Sequence, residues 1–215
     1  SFGYIGLYET VATFYGSDWE NNSEAKEFSL AILSYFKSQT SQWPDYHYSV
    51  YGTPAESLTD KFCKADREKF GDIPGITDKE YYTNSFHYDV RKSPTPFEKI
   101  DFEAPYPKYA SGGFIHYVEL PPVGANLKAL ETIWDYAYDK LGYFGVNTSV
   151  DQCFVCGFKG EFDSTEEGYR CPDCGNNDPE TADVTRRLCG YLGNPLARPA
   201  IHGRQVEIAS RSKHV

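Results

Sequence analysis

The sequence predicts a mixed α/β body carrying a small metal-braced subdomain near its C-terminal end, and three observations carry the prediction. Strand-like and helix-like stretches alternate over residues 1–150, four cysteines recur as C-x2-C-x14-C-x2-C over residues 153–174, and no apolar run reaches the length of a membrane span. At 215 residues the chain can bury a full core, as one domain or one and a half. It starts at Ser1 and contains no methionine, so it is expected to be a C-terminal piece of a longer protein.

The body elements follow in order. Ser23-Glu24 opens a helix whose apolar residues Phe28, Ala31, Ile32, Tyr35 and Phe36 recur at three- and four-residue steps, which predicts one buried face. Tyr46–Tyr51 alternates like a strand and stops at Gly52-Thr53-Pro54. Pro54 suits the first turn of a helix running through Ala55, Glu56, Ser57 and Leu58. Gly71–Gly75 and Ser93-Pro94-Thr95-Pro96 are read as loops. Gly113–Leu120 is a second strand, stopped by Pro121-Pro122. A helix over about Ala125–Leu141 comes next, with Leu127, Leu130, Ile133, Trp134 and Leu141 as its core side. The division expected is a body over 1–150, a four-cysteine subdomain over 151–180, and a loop and tail over 181–215.

The formal charge of -10 argues against nonspecific binding to nucleic acid or to anionic membrane, both polyanions. Residues 151–180 hold Asp151, Glu161, Asp163, Glu166, Glu167, Asp173, Asp178 and Glu180 against Lys159 and Arg170, the reverse of a ribbon that grips phosphates. From Arg186 onward the balance inverts. Arg186, Arg187, Arg198, Arg204, Arg211 and Lys213 face only Glu207, so the tail suits an acidic body or a phosphorylated substrate.

A tetrathiolate site needs four sulfurs at the corners of a tetrahedron, and each C-x2-C pair supplies two from one tight turn. Cys153, Cys156, Cys171 and Cys174 are therefore the expected ligands of a closed structural site. The spacer is one residue shorter than the usual ribbon range, and Gly157 and Gly175 follow a cysteine where such a turn favours positive φ. Two disulfides are the alternative. They would suit an oxidising compartment, whereas no secretory segment is visible, Cys63 and Cys189 are left over, and a cytoplasmic setting is expected. Zinc is favoured over a single iron because nothing asks this centre to change redox state. With four sulfurs in place, His47, His87 and His116 are expected in core or surface roles rather than as ligands, and the 18 tyrosines are expected mainly in packing.

Beyond the cysteines lies Arg187-Leu188-Cys189-Gly190-Tyr191. Glycine can lose a Cα hydrogen atom and become planar without side-chain strain, and the flanking amide groups delocalise the unpaired electron. This run resembles the glycyl-radical motif, with Leu188 where valine is usual. With the cysteine quartet and the closing Lys213-His214-Val215, it resembles the C-terminal part of the anaerobic (class III) ribonucleoside-triphosphate reductase large subunit, close to the phage type. Gly52-Thr53-Pro54-Ala55-Glu56-Ser57, Tyr82-Thr83-Asn84-Ser85-Phe86 and Ser111-Gly112-Gly113 extend the resemblance over essentially the whole chain.

The resemblance implies a ten-stranded α/β barrel of two half-barrels, of which this piece supplies the second half, a zinc subdomain and a glycyl radical loop. It implies that an iron-sulfur activating enzyme using S-adenosylmethionine takes a hydrogen atom from Gly190. The radical then passes to a cysteine upstream of this chain, and that thiyl abstracts the ribose 3′ hydrogen, with formate as reductant. Anaerobic deoxyribonucleotide biosynthesis for DNA replication, allosteric regulation from an upstream domain, and a homodimer are further implications. The piece alone is expected to be inactive. Gly190 is expected buried during turnover and displaced for activation, with Gly193 and Gly203 lending the loop freedom.

Thr53, Ala55, Glu56 and Ser57 are expected at the substrate, as a strand-turn-helix segment whose amides and hydroxyls suit triphosphate or ribose. The alternative is that Glu56 only complements a helix dipole. Cys63 and Cys189 are expected to be small buried hydrophobes. A zinc-ribbon interaction module without chemistry is the alternative function, although such a module has no need of Arg-x-Cys-Gly-Tyr. Another glycyl radical enzyme, such as a formate acetyltransferase, is disfavoured by the cysteine quartet.

Overall fold

The computed structural model describes residues 1–124, 126–165, 168–198 and 200–215. The body consists of β1 (Phe2–Tyr4), α1 (Leu7–Tyr15), α2 (Ser23–Thr40), β2 (Val50–Gly52), α3 (Leu58–Phe70), α4 (Pro96–Glu103), β3 (Tyr117–Leu120), α5 (Leu127–Tyr138) and β4 (Gly145–Thr148). Short strands β5 (Asp151–Cys153), β6 (Lys159–Gly160), β7 (Asp163–Thr165), β8 (Gly168–Arg170) and β9 (Ala182–Asp183) build the cysteine subdomain. A hairpin of β10 (Arg186–Arg187) and β11 (Leu192–Gly193) follows, and α6 (His202–Ala209) leads into the tail.

Two parallel pairs give the body its α/β character. β1 pairs with β2 across α1 and α2, and β3 pairs with β4 across α5, because parallel strands need a long crossover. All four residues of β3 are buried, as expected of a strand covered on both faces. Among the described residues these pairs are separate two-stranded sheets, and no closed barrel sheet is formed.

Several boundaries differ from expectation for identifiable reasons. The strand expected over 46–51 is confined to Val50–Gly52, where β1 provides the partner register. The helix expected from Pro54 begins at Leu58, because the Ala55 amide donates to Asn84 Oδ1 at 2.9 Å and the chain bends before Ser57, the N-cap. The second proline loop ends in α4, whose capping box joins Thr95 to Glu98 with Pro96 in the first turn. In α2 the buried stripe is Ala25, Ser29 and Leu33, while Ala31, Tyr35 and Phe36 are exposed. The stripe turns toward Tyr106, whose hydroxyl lies 2.8 Å from Ser29 Oγ. Ala125 lies outside the described residues; α5 starts at Leu127 after the Asn126 cap and buries Ile133 and Ala137, leaving Leu127 and Trp134 exposed.

One core gathers Leu7, Tyr8, Val11, Trp19, Leu33, Val50 and Phe86, and a second gathers Ile100, Val118, Leu120, Ile133 and Leu141. The cysteine subdomain has a third core of its own, made by Cys153, Phe162, Cys171, Ala182 and Val184. Its three-stranded sheet runs β6-β5-β9, so the closing strand lies just past residue 180.

Candidate functional site

The four cysteines converge. Their Sγ atoms all lie within 4.8 Å of one another, with Cys153 and Cys174 at 3.6 Å and Cys156 and Cys171 at 3.5 Å. A disulfide needs about 2.05 Å, whereas a tetrahedron with metal–sulfur bonds of about 2.3 Å has edges of about 3.8 Å. The spacings fit the second, and all six cysteines are free. Gly157 and Gly175 have φ of 82° and 73°, the left-handed backbone each knuckle turn requires. Burial pushes the Cys153 thiol up. The Cys156 and Val155 amides and the Asn176 side chain outweigh it and bring the value down to about 6. At Cys156 the Phe158 amide is instead outweighed by burial and the neighbouring sulfurs, which push that thiol up to about 12, and Cys174 is raised as well. The four sulfurs fit a zinc ion, which Cys153, Cys156, Cys171 and Cys174 would hold with no histidine among them.

His87 and His116 sit elsewhere, around the fully buried Glu103. Its Oε1 accepts from Lys99 Nζ at 2.5 Å, and Oε2 lies 3.3 Å from His87 Nδ1 and 2.5 Å from His116 Nδ1. Burial lowers both histidines, His116 to about 4, and the cluster is a core network as expected. His47 is exposed.

Gly190 stands at the tip of the β10–β11 hairpin. Arg186 pairs with Gly193 and Arg187 with Leu192, and the Leu188 amide donates to Tyr191 O at 3.0 Å to close the turn. The tip rests on the segment after β2: a methyl group on Gly190 would meet Pro54 Cγ at 3.2 Å and Ile115 Cδ1 at 3.5 Å. Cys189 Sγ donates to Pro54 O, and burial pushes this thiol up, so it stays protonated. Cys63 is fully buried and is likewise raised, to about 11, mainly by burial.

Gly190 itself is exposed, so these residues do not supply the burial expected for it. Nor do Gly193 and Gly203 lend freedom. A Cβ would lie 2.8 Å from Leu188 Cδ1 at Gly193 and 2.5 Å from Glu80 O at Gly203, so both permit close approach instead.

The structure brings the Thr53–Ser57 turn next to this tip. Burial and the Glu56 carboxylate raise Tyr191, whose ring lies 5.1 Å from the Arg198 guanidinium, and Arg198 is 4.0 Å from Glu56. Glu56 precedes the helix, and the acidic residue in the first turn of α3 is Asp60. Thr53 Oγ1 makes a long contact of 3.4 Å to Tyr51 O, and Ser57 makes no side-chain cap bond.

Behind the hairpin runs a buried polar chain that sequence reasoning missed. Arg187 Nε donates to Asn147 Oδ1 at 2.8 Å, and Asn147 Nδ2 donates to Glu119 Oε1 at 2.7 Å. Arg211 lies 3.4 Å from Glu119 and donates to Glu207 at 3.1 and 3.2 Å, and Arg204 joins Glu207 at 2.7 Å and also donates to Ala55 O. Burial pushes Glu207 up, but Arg211 and Arg204 bring it down to about 2. The one local signal was Glu119, a carboxylate inside an otherwise apolar strand.

An α/β body, a four-cysteine subdomain and a glycine-tipped hairpin resting on a strand end are thus joined in one chain. A family model described as anaerobic ribonucleoside-triphosphate reductase matches residues 1–214. The chain belongs to the anaerobic ribonucleoside-triphosphate reductase family. It is 50% identical over 219 residues to that enzyme of Escherichia coli (strain K12), covering 100% of this chain and 31% of the relative. To that of Enterobacteria phage T4 it is 46% identical over 217 residues, covering 100% of this chain and 34% of the relative. A solved anaerobic ribonucleotide reductase superposes with a TM-score of 0.75 at 21% identity, over 98% of this chain and 33% of that one. The chain thus spans about a third of the length of these relatives. No helix among the described residues is long and apolar enough to cross a membrane.

Proposed function

We propose that this chain supplies the radical-storing hairpin and the zinc-braced end of an enzyme that reduces ribonucleoside triphosphates to deoxyribonucleoside triphosphates without oxygen. The observation that carries the reading is the Gly190 tip seated on Pro54, at the carboxyl end of β2, where ligands of α/β folds collect. An activating enzyme that uses S-adenosylmethionine and an iron-sulfur centre takes one hydrogen atom from the Gly190 Cα. The radical moves to an upstream cysteine, and that thiyl abstracts the ribose 3′ hydrogen. Formate supplies the two electrons, leaving as carbon dioxide while the 2′ hydroxyl leaves as water. Zinc on Cys153, Cys156, Cys171 and Cys174 supplies rigidity and no redox step.

Within this frame the two parallel pairs belong to the second half of a ten-stranded barrel, and the working enzyme is a cytoplasmic homodimer. Thr53, Ala55, Glu56 and Ser57 contact the substrate at its ribose rather than its triphosphate. Both backbone groups of Ala55 are engaged, and the Glu56 carboxylate accepts from a hydroxyl but repels a phosphate.

Gly190→Ala in the full-length enzyme tests the reading. The φ of Gly190 is not left-handed and the nearest obstacle to a methyl is the Pro54 ring at 3.2 Å, so folding and zinc content should persist. The glycyl doublet in electron paramagnetic resonance and all reduction should vanish. A doublet that survives this substitution removes Gly190 from the mechanism.

A further inference from the structure

We infer that Asn147 and the Glu119–Arg211–Glu207 bridge form one positioning device that sets the Gly190 tip against the Pro54 turn. The inference rests on reading Gly190 as the radical site. The two partners of the contact are held from two buried carboxylates that one arginine joins. The hairpin reaches Glu119 through Arg187 and Asn147, and the turn reaches Glu207 through Arg204 and the Ala55 carbonyl. Arg211 joins the two carboxylates, so the tip and the turn share one frame.

Chemistry fixes the direction of every link. A guanidinium only donates and a carboxylate only accepts, so Asn147 must turn its oxygen to Arg187 and its amide to Glu119. Neither aspartate nor an aliphatic residue can do both. Arg204 is 2% exposed, Glu207 4%, Glu119 8% and Arg187 9%, so these links act with little screening by water. The tail locks the same strand: His214 donates its amide to Glu119 O at 2.7 Å and accepts from the Glu119 amide on Nδ1 at 3.0 Å.

Asn147 is the joint on the body side. On the other side Arg186, the neighbour of Arg187, is held by both oxygens of Asp151 at 2.5 and 2.8 Å, inside the cysteine subdomain. A bidentate charged pair is stronger than a link through a neutral amide. When the tip is released, the hairpin therefore leaves with the cysteine subdomain and parts from β4.

The test uses the full-length enzyme with its activating partner. Asn147→Ala is expected to speed amide hydrogen exchange over residues 188–193 about tenfold, while residues 151–176 keep their protection. The glycyl doublet should still form, turnover per spin should fall about a hundredfold as a misplaced reacting atom would dictate, and KM for the triphosphate should change less than about threefold. Arg211→Met should repeat the effect and Arg211→Lys should recover part of it. Unchanged exchange over 188–193, unchanged turnover per spin, or a uniform rise in exchange through the cysteine subdomain overturns the positioning role. Absence of the doublet in the unsubstituted enzyme would instead remove the Gly190 reading, and hydrogen exchange would still decide whether the bridge holds the hairpin.

Discussion

Gly203→Ala is the sharpest test of how the tail is docked. Gly203 lies in the first turn of α6, where that helix crosses α3, and its amide donates to Asp60 Oδ1 at 2.9 Å. A Cβ would lie 2.5 Å from Glu80 O, 2.7 Å from Asp60 Oδ1 and 2.9 Å from Asp60 Cβ. Ordinary contact begins near 3.4 Å, so the helix end must retreat by about 1 Å, and overpacking of that kind costs about 1–3 kcal/mol. Weakening the buried amide bond adds about 1 kcal/mol, and the better helix propensity of alanine returns about as much. The net loss is about 2 kcal/mol, which for a chain of this size lowers Tm by about 4–8 °C. Urea unfolding of the zinc-loaded protein, followed by tryptophan fluorescence, measures it. Gly16→Ala is the control: no atom lies within 4 Å of its Cβ, and its φ of 85° leaves only backbone strain of about 1 kcal/mol. If Gly203→Ala matches the unsubstituted protein in urea midpoint, the close approach of α6 to α3 is not what holds the tail.

Two further outcomes follow from the site. Cys171→Ser removes one corner of the tetrathiolate, so zinc content should drop from about one per chain to near zero, and exchange should rise over residues 151–184 before residues 1–120 respond; mass spectrometry under native and exchange conditions checks both. Acid should loosen the tail through His214, which burial and then Lys99 lower from 6.5 to about 3. The native chain binds fewer protons than the unfolded chain between those values, so stability is complete above about pH 6.5 and declines as pH falls toward 3. Glu207, lowered from 4.5 to about 2, adds its own loss only below about pH 4.5. His214→Gln should therefore flatten the urea midpoint between pH 6.5 and 4.5, though not abolish its slope, because His116 is lowered too. An unchanged slope refutes the role given to His214.

What was legible in the sequence was whatever local spacing determines. Two C-x2-C turns with a following glycine dictate a four-sulfur cluster whatever surrounds them, and the sulfurs converge as the spacing requires. The Thr95-Pro96 start of α4 was equally local, with Glu98 completing the capping box, and was hidden only by reading two prolines as a loop. The start of α3 was not local. It depends on Asn84 reaching the Ala55 amide from 29 residues away, and no window around Pro54 contains that bond. The polar chain behind the hairpin was illegible for the same reason, since Glu119 meets His214 across 95 residues. A lone glutamate in an apolar strand announces that partners exist without naming them.

The position of Gly190 follows from one property of a strand, that adjacent side chains leave on opposite faces. In β10 this sends Arg186 into the cysteine subdomain, against Asp151, and Arg187 into the body, against Asn147. Asp151 also accepts from the Phe162 and Thr185 amides, so the subdomain side is tied at several points to the sheet that carries Cys153. The hairpin is thus rooted in the cysteine subdomain and only leaned against the body. Under the proposed function, that asymmetry gives four cysteines without chemistry of their own a reason to sit beside Gly190. They would hold the base of the hairpin rigid, so that the glycine at its tip can be presented to the proposed activating enzyme, returned to the Pro54 turn and found each time at the same place.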